Sequence, residues 1–343
     1  MSAKRITIFS TVLFLLLQLA CKNEPAANLP TNNSPSDFLT GIPSIDAITA
    51  QLKEDPNNPV LFAERARLFY ENNAYDEAIQ DLAFAMKIDS VNPDYHHLLA
   101  DVYLDYVKSN LALKTMERAA KLHPERIPTL LKLSEFQMIL KQHQASMRTV
   151  DQILNLDPQN PEAYFMFGMN FKEMGDTNRA INSFQSAVEY EPDHLDGWIN
   201  LGQLHAAIGG DLAEKFFDNA LDINPNSITA LHAKADFLSK QEELTGAIEL
   251  YRRINIIDSQ YDEAYLNAGL LYMELDSVNK AYQQFDIAIG TNPLYIKAYF
   301  FRGYAAESLG RLQQAKSDYQ QALNLAPNYE LAKEGLNRIA QGG

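Results

Sequence analysis

Residues 164–192 read YFMFGMNFKEMGDTNRAINSFQSAVEYEP, and this stretch decides the fold. Tyr164, Phe167, Gly168 and Phe171 recur at helical spacing along one face. Gly175-Asp176 then interrupts the pattern as a turn does. A second face follows with Ala180, Phe184 and Ala187, and it closes at Glu191-Pro192. Proline disfavours continuation of the helix before it. The stretch predicts two antiparallel helices whose backbones approach closely at small residues, with aromatics filling the space on either side.

The same unit repeats along the chain. Ala78, Ala112, Ser146, Ala180, Ala213, Ala247, Ala281 and Ala315 open the second halves, and every step is 34 residues except one of 33. Twelve residues earlier stands a small residue: Ala66, Ala100, Ser134, Gly168, Ala235, Gly269 or Gly303. Gly202 stands eleven before Ala213, which puts the missing residue in the turn around Gly209-Gly210. Pro124, Pro158, Pro192, Pro225, Pro293 and Pro327 close six of the units. Each pair exposes an apolar flank until the next covers it, so one continuous solenoid is expected.

From Pro59 to Tyr329 this pattern resembles the tetratricopeptide repeat family. The resemblance implies an all-α fold, a right-handed superhelical solenoid of antiparallel helix pairs. Its eight units would span 59–92, 93–126, 127–160, 161–194, 195–227, 228–261, 262–295 and 296–329, with capping helices in 44–58 and 330–343. Arg65, Lys234 and Arg302 depart from the family by standing where Leu is usual, and Gln137 replaces an aromatic. The long cationic stems are expected to pack while their charged ends reach water.

At the N-terminus, Lys4 and Arg5 precede an apolar run from Ile6 to Ala20, so residues 1–20 read as a signal peptide. Cys21 follows directly and resembles the lipidated cysteine of bacterial lipoproteins, although Gln18 departs from that box. The resemblance implies a lipid-anchored envelope protein. Lys22 lacks the Asp that retains some lipoproteins in the inner membrane, which favours the outer membrane; periplasmic and surface faces both stay open. Residues 21–43, rich in Pro, Asn and Ser, read as a tether.

One cysteine excludes a disulfide scaffold, and 29 basic against 44 acidic side chains give a charge of −15. That charge repels phosphate backbones and anionic headgroups, so no nucleic acid is expected and any membrane association rests on the lipid. The chain has no glycine-rich phosphate loop and no histidine spacing suited to zinc. His96 and His205 read as core, His97 and His232 as the other helix face, and His123, His143 and His194 as turns. No catalytic residue, cofactor or metal ligand is assigned.

Residues one step after the packed positions are rotated by about 100°, and in proteins of the resembled architecture that face of the first helix lines a concave groove. Two apolar clusters are expected there: Phe165, Met169 and Ile199, then Leu266, Leu270, Met273, Phe300 and Tyr304. Asn200 and Asn267 sit beside them, suited to bonding a peptide backbone. With the acids Asp94, Asp101, Asp105 and Glu135 nearer the tether, the expected occupant is another protein's apolar segment carrying some Lys or Arg. The alternatives are packing across the superhelix, a homodimer, a small ligand or glycan stacked on Phe300 and Tyr304, and an enzyme site assembled across units.

Overall fold

The structure is a computed structural model that describes residues 40–342. The predicted signal peptide, Cys21 and most of the tether lie outside the described residues. Eighteen helices and no strand occur among the described residues, in the all-α solenoid architecture of helix pairs. They group as two compact units, one ending at Pro124 and one beginning at Glu125, where a single continuous array is expected from sequence. The division falls at the third repeat, whose first helix buries the polar Thr129 and Gln137.

The first unit holds a lone helix α1 (Pro43–Glu54) and two pairs, α2 (Pro59–Glu71) with α3 (Tyr75–Ile88) and α4 (Pro93–Asp105) with α5 (Ser109–Leu122). The second unit opens with α6 (Ile127–Ile139) and α7 (His143–Leu156), then α8 (Pro161–Glu173) and α9 (Thr177–Tyr190). It continues with α10 (Leu195–Ala207) and α11 (Ala213–Ile223), and with α12 (Ile228–Lys240) and α13 (Leu244–Ile257). The last pairs are α14 (Asp262–Glu274) with α15 (Val278–Thr291) and α16 (Ile296–Ser308) with α17 (Leu312–Leu325), closed by α18 (Glu330–Gly342).

Local chemistry sets the helix ends. Pro59, Pro93 and Pro161 occupy the first helical turn, where no amide hydrogen is needed, and the preceding Asn58, Asn92 and Asn160 accept backbone N–H groups as caps. Within every pair, a residue at positive φ ends the first helix: Asn73, Val107, Lys141, Gly175, Gly209, Glu242, Asp276 and Gly310. The next amide then bonds back five residues, as Asp176 N does to Phe171 O at 2.8 Å and Ser277 N to Tyr272 O at 2.8 Å. This is a Schellman closure, and it turns the chain into the second helix. The 33-residue step appears as a shortened α11, 11 residues against 14 in the other second helices.

At each crossing a small residue of the first helix meets a larger one of the second. A Cβ added to Gly168 would lie 2.5 Å from the Phe184 ring, and one on Gly202 would lie 2.5 Å from Phe217; Gly269 and Phe285 are as tight. Where the small residue is Ala66 or Ala100, the buried partner shrinks to Leu82 or Met116, and beside Ser134 it is Val150. Phe184, Phe285, Leu82, Met116 and Val150 are fully buried.

Arg65 corrects the expectation that its charge reaches water. It is 0% exposed, with Nε and Nη2 donating to both oxygens of buried Asp81 at 2.7 Å and Nη1 to Thr49 at 3.0 Å. Arg302 and Lys234 keep some exposure, yet each reaches a carboxylate sixteen residues away. Arg302 spans Asp318 and Asp286, and Lys234 bonds Asp218, each at 2.5 Å.

Gly269→Ala is expected to lower unfolding free energy by about 1–3 kcal/mol through overpacking. Phe285→Leu in the same chain should recover part of that loss, so a double-mutant cycle by urea denaturation should give a coupling of about 1 kcal/mol.

Candidate functional site

The face shared by the first helices of the second unit carries two stretches of side chains. In the first, Phe165 of α8 is half-buried, its ring 5.5 Å from Phe184 and 4.8 Å from His194, with half-buried Met169 one turn on. Lys172 Nζ donates across to α10, to Asn200 Oδ1 at 2.6 Å and Gln203 Oε1 at 3.0 Å. Burial pushes the Lys172 ammonium below its ordinary range. Asn200 also donates to Asp196 O at 2.9 Å. Both ends of the Asn200 amide are therefore engaged within the protein.

The second stretch centres on His232 of α12. Its Nδ1 lies 3.4 Å from Asp236 Oδ2, and its Nε2 lies 3.4 Å from Asn267 Nδ2 and 4.0 Å from Glu263 Oε2, both of α14. The Tyr251 hydroxyl of α13 donates to Asp236, while the Asn267 amide reaches the Tyr251 hydroxyl at 3.5 Å. Tyr251 and Tyr261 meet the imidazole edge-on at 5.5 and 6.0 Å. Asp236 lifts the His232 pKa above its ordinary value, outweighing burial. Burial alone would raise the Asp236 carboxyl, but His232 and Tyr251 hold it low. Leu270 and Met273 are half-buried on this face, and Tyr304 is 43% exposed and stacked 6.5 Å from Phe300.

Three residues expected in the groove are instead core. Ile199 is 2% exposed, Leu266 4% and Phe300 8%. The reason is visible in their neighbours. Ile199 packs with Ala230, and Leu266 with Ala298 and Ala305, all on the next first helix; Phe300 packs with Ala332 of α18. Of the expected residues, Phe165, Met169, Leu270, Met273 and Tyr304 keep exposed surface, as do the internally bonded Asn200 and Asn267. Tyr251, Tyr261 and Glu263 belong to these stretches and were not singled out by spacing. Tyr251 had a signal: it faces Ala235, whereas the other aromatics at that place face glycine.

In the first unit, the Tyr70 hydroxyl donates to Asp105 at 2.5 Å and that of Tyr106 to Asp76 at 3.1 Å. Tyr75 stacks 5.2 Å from Tyr106, and Lys108 Nζ lies 3.8 Å from the Tyr106 ring centre. Burial and the Asp105 carboxylate both raise the Tyr70 pKa.

Glu162, Glu191 and His194 bring ligand-type atoms within 4.8 Å of one another. Their hydrogen bonding opposes a metal. His194 caps α10 by accepting the Gly197 amide on Nδ1 at 3.1 Å. A neutral imidazole that accepts at Nδ1 carries its proton on Nε2, the atom 3.7 Å from Glu162. The nitrogen facing the carboxylates is thus a donor and offers no lone pair.

Residues 165–228 and 296–329 match family models of the tetratricopeptide repeat. The chain is 21% identical over 281 residues to anaphase-promoting complex subunit 3 of Schizosaccharomyces pombe, covering 79% of this chain and 41% of that protein. It is 25% identical over 233 residues to protein O-mannosyl-transferase TMTC3 of Homo sapiens, covering 66% of this chain and 25% of that protein. The chain therefore spans less than half of either relative. A solved structure of the APC/C hetero-tetramer Cut9-Hcn1 superposes with TM-score 0.52 at 15% identity, covering 86% of this chain and 58% of that chain, which shows a shared fold.

Because the folded pKa of His232 is raised, its contribution to stability is complete below the unfolded value, about 6.5, and is lost as pH rises through the folded value. Urea denaturation at pH 5.5 and 8.5 should show the native chain losing more stability between those values than His232→Gln.

Proposed function

We propose that this chain, which carries tetratricopeptide repeats, is a non-catalytic scaffold that holds a partner polypeptide on the first-helix face of its second unit. It would be anchored in a bacterial envelope through lipid on Cys21, in the outer membrane. The supporting observation is the makeup of that face: Phe165 and Met169 leave apolar surface open in the first stretch, and Leu270, Met273 and Tyr304 do so in the stretch that carries Asp236 and Glu263. Apolar area next to carboxylates suits a segment with apolar anchors and a Lys or Arg. Asp236 and Glu263 both face the His232 imidazole, at 3.4 and 4.0 Å.

The polar groups of the face are bonded to one another rather than set around a reacting atom, which favours holding over chemistry. Fission-yeast anaphase-promoting complex subunit 3, by its name, works inside an assembly, and this chain is read likewise. TMTC3 is named as a transferase, but only a quarter of its length aligns with this chain, so its activity is not carried over.

Replacing Leu270 and Tyr304 together by Glu should abolish recovery of the partner after in-cell crosslinking and mass spectrometry, with the melting temperature nearly unchanged. Recovery of the same proteins by native and doubly substituted chains would refute the first-helix face as the binding surface. In membrane fractionation, Cys21→Ser should move the protein to the soluble fraction; retention in the membrane pellet would overturn the anchor.

A further inference from the structure

The fourth repeat carries Lys172 four residues after the small residue of its first helix, where no other repeat has a cation; Leu104, Met138, Ala206 and Met273 are among the residues there. Phe165 and Met169 precede Lys172 by seven and three residues, so all three share one side of α8. Arg65, Lys234 and Arg302, the cations that depart from the repeat pattern, each meet an acid. Lys172 meets two neutral amides instead. Two of its three N–H groups go to Asn200 Oδ1 and Gln203 Oε1, at 2.6 and 3.0 Å.

No carboxylate forms an ion pair with Lys172 among the described residues, and exposed Glu173, its neighbour in sequence, does not close on it. The half-buried ammonium keeps one N–H without a protein acceptor. Gln203 is exposed, and because its Oε1 faces the ammonium its Nε2 hydrogens are left to the groove. An ammonium taken partly out of water gains most from an opposite charge, which amide dipoles do not supply. The two donors lie side by side, a pattern that the two oxygens of one carboxylate accept.

We propose that Lys172 and Gln203 take the side-chain carboxylate of an Asp or Glu on the partner polypeptide, resting on the reading of the first-helix face as a polypeptide site. Phe165 and Met169 seat the apolar residue next to that acid. A side chain rather than a chain end is favoured because half-buried Leu131 and Met138 continue the apolar face on α6, the first helix before α8. The partner therefore runs past Lys172 in both directions. Toward the other end of the face, Asp236 of α12 and Glu263 of α14 suit the partner's Lys or Arg. Two first-helix steps of about 8–10 Å each separate the α8–α10 gap from the α12–α14 gap. An extended segment rises about 3.3 Å per residue, so the partner's acid and base should stand about five or six residues apart. The face thus selects a charge order along its guest.

The test is display selection on the whole chain from a random twelve-residue peptide library, each peptide fused at its C-terminal end so that no terminal carboxylate is presented. The native chain should select peptides with an Asp or Glu five or six residues from a Lys or Arg. Lys172→Glu should select against the acid, and Lys172→Arg should keep it. For one selected peptide made as an amide, replacing its acid by Gln or Asn should weaken binding to the native chain at least tenfold. The same replacement should cost less than twofold with Lys172→Met, whose melting temperature should be nearly native. Equal losses with both chains would overturn the assignment to Lys172. Tighter binding of a peptide cut back to end in a free carboxylate at that position would overturn a side-chain source. Selected peptides that need no acid, yet are lost with Leu270→Glu and Tyr304→Glu together, would overturn the carboxylate site and leave the polypeptide face standing. Undiminished binding to that doubly substituted chain would overturn the face itself, and a library that yields no peptide would overturn both.

Discussion

The fold depends on size complementarity at one contact, where a small residue of each first helix faces a larger side chain of the second, usually sixteen positions on. Glycine faces Phe184, Phe217, Phe285 or Tyr319; alanine faces Leu82 or Met116; serine faces Val150. Summed volume is thus roughly conserved while the individual residues vary, as a close-packed interior requires. Ala235 with Tyr251 is the exception. There the ring is not accommodated by a glycine, and its hydroxyl reaches Asp236, which draws Tyr251 into the polar cluster around His232. A lapse in packing at one repeat is what brings Tyr251 into the candidate site.

Cationic departures from the repeat are resolved by the same spacing. Arg65, Lys234 and Arg302 each meet an acid sixteen residues away, either on their own second helix or on the preceding one. The buried pair of Arg65 and Asp81 adds little net stability against an apolar alternative. Removing one partner is another matter, because Arg65 at 0% exposure has no route to water. The geometry therefore ties α2 to α3 through charge as well as through packing.

The helix pairs were legible from the chain because each signal was local: small residues and aromatics at helical spacing, proline after the second helix, and a turn every 34 residues. The face of each first helix was legible only in part. A rotation of about 100° per residue separates packed from open positions within one helix, yet it contains no information about the next first helix alongside. Ile199, Leu266 and Phe300 sit on the edge that this neighbour covers, so helical periodicity alone read them as open. Likewise, nothing local distinguishes Arg65, wholly enclosed, from Arg302, which retains a solvent path. The division at Pro124 also arises from contacts summed over many helices, which no single motif records.

In a repeat protein each unit serves as a control for the others, so departures can be sorted by whether the surroundings absorb them. Arg65 is absorbed by Asp81 and Thr49, and Tyr251 by Asp236. Val107 is not: it is a β-branched residue at φ 60°, 86% exposed, at a turn that glycine fills in three other repeats. Asn255 and Ile256 are not absorbed either, one buried without a donor and the other apolar in water. A left-handed β-branched residue, an unpaired buried acceptor and an open isoleucine each lower stability, and simple substitutions already present in sister repeats would remove them.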